Sequence, residues 1–205
     1  SLVGGTSQIY NPFNYSLQDL IDPTTGKVRS DATLKWSDNW MDEPMNSAPS
    51  RSEYVMSVTG GNEKASYMVS MGYLDETGLL KTTEFTRFSG RVNVDASPKE
   101  WFKVGLNSSF AQTESSYLSA TGTSTSNVFY SAMTMGPLYP IYQRDADGKF
   151  ILDAAGKKQF DYGQSRPSGA QSNYNSIATL FNDKFSLNND NVSARGYMSF
   201  LDLKE

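Results

Sequence analysis

Residues 54–110, YVMSVTGGNEKASYMVSMGYLDETGLLKTTEFTRFSGRVNVDASPKEWFKVGLNSSF, decide how the chain is read. The stretch divides into four segments, 54–60, 65–74, 86–95 and 101–110, each alternating between apolar and polar residues. In the first, Tyr54, Met56 and Val58 alternate with Val55, Ser57 and Thr59. In the second, Tyr67, Val69, Met71 and Tyr73 oppose Ser66, Ser70 and Gly72. Phe88, Val92 and Val94 oppose Arg87, Ser89, Arg91, Asn93 and Asp95 in the third. In the fourth, Phe102, Val104, Leu106 and Phe110 oppose Lys103, Gly105, Asn107 and Ser109. A period of two is that of β-strands with one apolar and one polar face. A soluble sandwich and a membrane barrel both satisfy it.

The connections narrow the choice. Gly60-Gly61-Asn62 suits a tight hairpin, residues 75–85 form a longer link, and Ser97-Pro98-Lys99-Glu100 is short again. Short and long connections alternate in this way between the two rims of an outer-membrane barrel. Trp101 opens the fourth segment, and Tyr54, Tyr67, Tyr73 and Phe85 lie near other strand ends. That is where the aromatic girdles of a membrane barrel fall, although a packed core also accepts aromatics there.

On either side the chain changes character. Asn11-Pro12 and Asp22-Pro23-Thr24-Thr25-Gly26 are turn signals, and SLQDLI, residues 16–21, has the makings of one helical turn with Ser16 as cap and Asp19 answering it. Trp36 and Trp40, four apart, would share one face of a helical turn. They read either as anchors of a loop or as a stacking platform for a ligand such as a sugar ring. Residues 113–127 are small and polar, the composition of a loop. In VFYSAMTMGPLYPIY, residues 128–142, Pro137 and Pro140 bar both a continuous helix and a central strand. DADGKF and DAAGKKQF read as successive turns around a short strand at 150–152. Alternation returns at 191–205, with Val192, Ala194, Met198 and Phe200 opposite Ser193, Arg195, Tyr197 and Ser199. Five strands with loops this long make a poor self-contained domain, so the chain is expected to be a piece of a longer one.

Composition removes several functions. The 205 residues carry a net charge of −4 with no basic stripe, which argues against nucleic acid as a partner. There is no His and no Cys, which excludes zinc held by imidazole or thiolate, catalysis by either group, and a disulfide framework. Asp145-Ala-Asp147-Gly148 lacks the further oxygen ligands of a calcium loop and reads as a turn. Asp42-Glu43 and Asp75-Glu76 are adjacent pairs whose side chains diverge in an extended chain, unsuited to acid/base cleavage of a glycoside. No phosphate loop and no nucleophile elbow is present. The reading is of a protein that is not an enzyme, with no metal and no cofactor.

One resemblance is specific. Ser57-x-x-Gly60-Gly61, the Tyr-rich strand after it, Gly72-Tyr73-Leu74-Asp75, and Arg87-x-Ser89-x-Arg91-x-Asn93-Val94-Asp95 resemble the recurrent pattern of the SusC/RagA-like TonB-dependent transporters of Gram-negative outer membranes. NPFNYSLQDLIDPTTG (11–26), WSDNWMD (36–42) and MGPLYPIYQRDADGKFILDAAGKKQFDYG (135–163) resemble one branch of that family. The resemblance implies an all-β fold, a segment of a large antiparallel transmembrane β-barrel with long extracellular loops. It divides the chain into an extracellular region at 1–51, four barrel strands within 52–112, a second extracellular region at 113–190 and a fifth strand at 191–205. The plug domain and the remaining barrel would lie outside this chain.

The implied function is import of a bulky nutrient, glycan or peptide, with a SusD-like surface lipoprotein as lid and TonB acting through the absent N-terminal part. The location would be the outer membrane, with lipid against the apolar strand faces. No catalytic residue is implied. Candidates for contact with an oligosaccharide or peptide are Trp36 and Trp40 in the loops and Arg87 and Arg91 on the polar strand faces. The competing reading is a secreted β-sandwich that binds glycans through Trp36 and Trp40. The two differ in one respect: a sandwich packs its apolar faces together, whereas a barrel section leaves them open. A structural surface or adhesin module would show internal repeats, and the sequence has none.

Overall fold

The structure is a computed structural model that describes residues 10–117, 127–164, 166, 170–183 and 185–200. It contains five strands, β1 (Ser50–Asn62), β2 (Ala65–Thr77), β3 (Glu84–Lys99), β4 (Phe102–Tyr117) and β5 (Phe185–Phe200), and two short helices, α1 (Val128–Thr134) and α2 (Ser176–Asn182). The chain falls into two compact units: residues 46–117 with 184–205, and residues 1–45 with 118–183.

The first unit is a single antiparallel sheet in the order β1-β2-β3-β4-β5. Its register aligns the alternating residues of all five strands. Met56 faces Met71, and Val69 faces Val92; Val94 faces Leu106, and Phe110 faces Val192. Each apolar set therefore lies on one side of the sheet, which a one-residue slip would destroy. That side is open. Tyr54 is 67% exposed, Met71 52% and Met198 71%, so no second sheet among the described residues covers it. Removing such a surface from water would be the largest stabilising term in a soluble fold; here it remains open. A sandwich is inconsistent with this arrangement, and a section of barrel wall accounts for it.

The apolar band has a definite extent and aromatic ends. On β2 the apolar positions run from Tyr67 to Tyr73, about 20 Å along the strand at the usual rise per residue, with Asp75 beyond. At the hairpin end, Trp101, Phe102 and Phe200 form an aromatic cluster with ring centroids 5.2–6.4 Å apart. At the other end Tyr54, Tyr73 and Phe88 occupy one register row.

Strand ends differ from the sequence reading in an instructive way. The strand block does not stop at residue 112, because β4 continues through Gln112-Thr-Glu-Ser-Ser-Tyr117 and pairs with β5 from Phe185. Both faces are polar there, so alternation carries no signal. The hairpin tip is Glu63-Lys64 rather than Gly60-Gly61-Asn62, with Asn62 opposite Ala65 and the Asn62 Oδ1 accepting from the Lys64 and Ala65 amides. Ser97-Pro98 lies inside β3 as an irregularity between Ala96 and Lys99, the place where a residue without an N–H can be accommodated.

The two glycines are strand residues, and they are not equivalent. A Cβ on Gly61 would sit 2.6 Å from the carbonyl oxygen of Ala65, a backbone atom, whereas one on Gly60 would meet only the ring of Tyr67, which can swing away. Gly61→Ala is therefore expected to lower the thermal midpoint of the assembled protein, measured by heat-dependent gel mobility, by several degrees more than Gly60→Ala. Equal effects would contradict this packing.

The second unit has little regular structure and a compact core. Trp40, Met135, Ile141 and Ile177 are buried together, with Tyr139, Tyr142, Phe160 and Phe181 against them. Helix α1 ends before Gly136-Pro137, as the prolines require. Residues 16–19 form a single turn, closed by Ser16 Oγ donating to the Asp19 carboxylate at 2.7 Å and accepting from the Asp19 amide. Tyr142–Arg144, Phe150–Leu152 and Lys158–Phe160 are joined by isolated antiparallel bridges into a small meander. Its two turns are built alike: Asp145 Oδ1 accepts from the Asp147 and Lys149 amides, Asp153 Oδ1 accepts from Ala155 and Lys157, and Gly148 and Gly156 take positive φ.

Candidate functional site

Two surfaces carry the polar chemistry of the chain, one in each unit. In the sheet, the face opposite the apolar one holds Arg87, Arg91, Asn93, Asn107 and Arg195. Near its strand-start end, Arg87 lies 3.3 Å from Glu53, across the intervening Leu74, and Arg51 reaches both Glu53 at 3.1 Å and Glu76 at 3.6 Å. These groups are well exposed, so each pair contributes little to stability on its own. Arg91 occupies the register row Ser70–Arg91–Ser109–Ser193 and lines a shallow depression of about 330 Å³ with Ser89 and Asn191. Most of this face is polar, although Leu74 on it is buried.

In the loop unit, Trp40 is 2% exposed and Trp36 7%. No helix forms across them; Asn39 Oδ1 accepts from the Met41 amide and residues 40–44 form turns. Both indole N–H groups nevertheless reach the same partner segment, Trp36 donating to the Leu138 carbonyl at 3.1 Å and Trp40 to that of Tyr139 at 2.9 Å. Trp40 offers no ring face to a ligand and acts as an anchor. Trp36 lines a cleft. Among the candidates, Trp36 and Trp40 belong to one unit, and Arg87 and Arg91 to the other.

The cleft is about 290 Å³, bounded by Tyr10, Trp36, Gln143, Arg144, Asp161 and Tyr162, with Pro140, Ile151 and Gln164 completing it. Its charges are matched in pairs. Arg144 Nη2 lies 2.5 Å from Asp38 Oδ1, while Asp38 Oδ2 accepts from the Ile141 amide. Arg166, whose side chain is fully buried, lies 3.1 Å from Asp161 and donates to the Pro140 and Asp161 carbonyls. Its guanidinium is surrounded by the rings of Tyr10, Trp40 and Tyr139 at 5.4–5.9 Å, where cation–π attraction offsets part of the cost of burial. Tyr10 Oη donates to Asp161 Oδ1, and Asn175 Nδ2 donates to the Ile141 and Asp161 carbonyls while its Oδ1 caps α2. The sequence marked none of Asp161, Arg166 or Asn175. The one available signal was Asn175 ahead of SIATLF, an N-cap pattern.

On the far side of Arg144, Phe150 lies between two cations, the guanidinium of Arg144 at 4.1 Å and Lys158 Nζ at 4.1 Å from the ring centre. Neighbouring Tyr142 donates to Glu43 Oε1 at 2.8 Å. Burial, and then this bond to a carboxylate, push the phenol well above the ordinary tyrosine range. A pKa raised on folding contributes stability below pH 10 or so that is lost as the pH climbs further. Alkaline titration is expected to show one phenol ionising after the others, and Tyr142→Phe is expected to remove that step. Persistence of the step in Tyr142→Phe would refute the assignment.

The paired carboxylates do not converge. Asp42 accepts from Asn39, Glu43 from Tyr142, and Glu76 pairs with Arg51, while Asp75 lies on the opposite face of β2. Among the described residues no three acidic groups are placed to hold a metal ion.

No family model matches the sequence. The chain is 29% identical over 113 residues to the TonB-dependent receptor SusC of Bacteroides thetaiotaomicron, covering 55% of this chain and 11% of that protein. It is 30% identical over 122 residues to TonB-dependent receptor P3 of Formosa agariphila, covering 58% of this chain and 12% of that protein. The chain thus spans about a tenth of the length of the curated relatives it matches. Among solved structures, the RagAB peptide transporter aligns with a TM-score of 0.57 at 26% identity, covering 82% of this chain and 18% of that one. The RagAB peptide importer in its closed-closed state aligns with a TM-score of 0.56 at 24% identity, covering 82% of this chain and 17% of that one.

Proposed function

We propose that this chain, which resembles the SusC/RagA-like TonB-dependent transporters in sequence and has the fold of a section of their barrel wall, takes part in importing a bulky nutrient across a Gram-negative outer membrane. The observation that carries the reading is the open apolar face shared by five long strands, backed by a continuous polar face. In hydrocarbon every backbone group must be paired, so the unpaired outer edges of β1 and β5 require further strands, and a closed barrel supplies them. The polar face would then line the interior, with Arg87 and Arg91 among the groups a passing ligand or a plug would meet. Regions 1–51 and 113–190 would lie on the cell exterior, because both join the sheet at the end opposite its short hairpins.

Two partners follow by analogy with the relatives: a SusD-like surface lipoprotein closing the barrel, and TonB acting through a part of the protein beyond this chain. The cargo is a glycan or a peptide. No arrangement among the described residues supports catalysis on it.

The test is genetic and biochemical. Deleting the gene for the full-length protein should abolish uptake of a labelled oligosaccharide or peptide that depends on the proton gradient. The protein purified from outer membranes in mild detergent should carry a lipoprotein with it. Recovery of the protein from the medium, with uptake unchanged by the deletion, would sink the reading and restore the secreted binding module.

A further inference from the structure

The alignment of β5 on β4 is the one pairing of the sheet that neither a turn nor the apolar pattern determines. We propose that Tyr197, Gly105 and Asp95 form a lock across β5, β4 and β3 that selects this alignment. The lock concerns how the sheet is assembled and holds whatever the protein carries.

The other pairings have short connections. Residues 63–64 join β1 to β2, 78–83 join β2 to β3, and 100–101 join β3 to β4. Links of this length restrict which residues can face one another. β4 and β5 are joined instead by residues 118–184, and a connection that long imposes no register. Alternation settles the matter only in part. It forbids a slip of one residue, which would turn every apolar side chain of β5 to the wrong face. A slip of two keeps Val192, Ala194, Met198 and Phe200 on the apolar side, so the pattern does not oppose it.

The polar face supplies the missing constraint. Asp95, Gly105 and Tyr197 stand in one register row on three adjacent strands. Because Gly105 has no side chain, the Tyr197 ring can lie across β4, and its Oη donates to Asp95 Oδ1 on β3. A Cβ on Gly105 would overlap both the ring and that carboxylate, and the glycine is buried beneath them. Slid by two in either direction, Tyr197 would face Lys103 or Asn107, whose side chains occupy the space that Gly105 leaves free. In one of these slips Arg195 comes opposite Gly105, from where its guanidinium could take the Asp95 carboxylate in place of the phenol. The competing alignment is therefore specific: Arg195 opposite Gly105, and Asn191 opposite Ser109.

The experiment reads the alignment by disulfide cross-linking in the full-length protein, in whichever cell fraction holds it. Ser109→Cys on β4 is combined with Ser193→Cys, which reports the native register, or with Asn191→Cys, which reports the slipped one. A residue directly opposite lies within reach of a disulfide, whereas its diagonal neighbour, about 7–8 Å away, does not. With Tyr197 in place, the pair with Ser193→Cys should close and the pair with Asn191→Cys should not. In Tyr197→Ala the ratio of slipped to native cross-link should rise about ten-fold, the effect of losing one ring contact and one hydrogen bond. Tyr197→Phe, which keeps the ring and loses the bond, should fall between. Heat-dependent mobility establishes which variants fold, and where Tyr197→Ala leaves no folded protein the comparison is made in Tyr197→Phe. If the native pair alone closes in all three proteins, something other than the lock sets the register and the proposal is overturned. Loss of folded protein from both variants, with no slipped cross-link, overturns it equally, because Tyr197 would then hold the sheet together without choosing how β5 aligns.

Discussion

Arginine in place of Val69 is expected to remove most of the folded protein from the outer membrane, while arginine at the adjacent Met68 leaves assembly close to wild type. The two residues are neighbours on β2 and point to opposite faces. Val69 sits mid-band on the apolar side, between Val58 and Val92. Met68 sits on the polar side, between Thr59 and Asn93, with no charge beside it in its row. A cation at the centre of the lipid face of a barrel costs about 2–4 kcal/mol, which shifts the folding equilibrium by a factor of roughly 30 to 1,000. The same cation in a wet lumen costs almost nothing. The quantity to compare is the heat-modifiable fraction in isolated outer membranes. If both variants assemble equally, the open face does not meet lipid.

The second large effect concerns the loop unit. Asp161→Ala is expected to unfold that unit locally, at a cost of about 3–5 kcal/mol, because it leaves the Arg166 guanidinium buried and uncompensated. Arg166 Nε and Nη1 already lack hydrogen-bond partners, so Asp161 and two carbonyls supply all the hydrogen bonds to the charge and Asp161 its counter-charge. Hydrogen exchange should report the change at the α2 amides and around Ile141, whose carbonyl Asn175 clasps. The paired replacement Asp161→Leu with Arg166→Met, which removes both charges, should recover much of the protection. If the single and paired changes behave alike, the ion pair does not hold this core together.

How much of this was legible beforehand follows from the range of the interactions. Alternation at Tyr67–Tyr73 or Phe88–Val94 is a local pattern, so strand identity and the set of residues on the apolar face could be read directly, as could the resemblance carried by the Arg87–Asp95 motif. Gln112–Tyr117 could not, because a strand wet on both faces loses its period. The loop core was hidden for a different reason. Asp38 meets Arg144 across 106 positions and Trp40 meets Tyr139 across 99, and nothing local to either residue announces its partner. Trp36 and Trp40 were visible as a pair, yet their surroundings, which separate a cleft wall from a buried anchor, come from residues a hundred positions away. Arg166 reads as an ordinary polar loop residue until its cage is seen.

The central claim is that one face of this sheet meets lipid and the other meets water. It is tested most directly by a cysteine scan, to which these 205 residues add no background thiol. Single cysteines at Met68, Val69, Ser70 and Met71 on β2 and at Arg91, Val92, Asn93 and Val94 on β3 would be placed in the full-length protein in native outer membranes. Each would be exposed to a charged, water-soluble thiol reagent, and its fluorescent adduct to quenching by brominated lipid. The account predicts strict alternation: Met68, Ser70, Arg91 and Asn93 react with the charged reagent, while Val69, Met71, Val92 and Val94 are spared and are quenched by lipid. Uniform reaction at all eight positions would contradict the account.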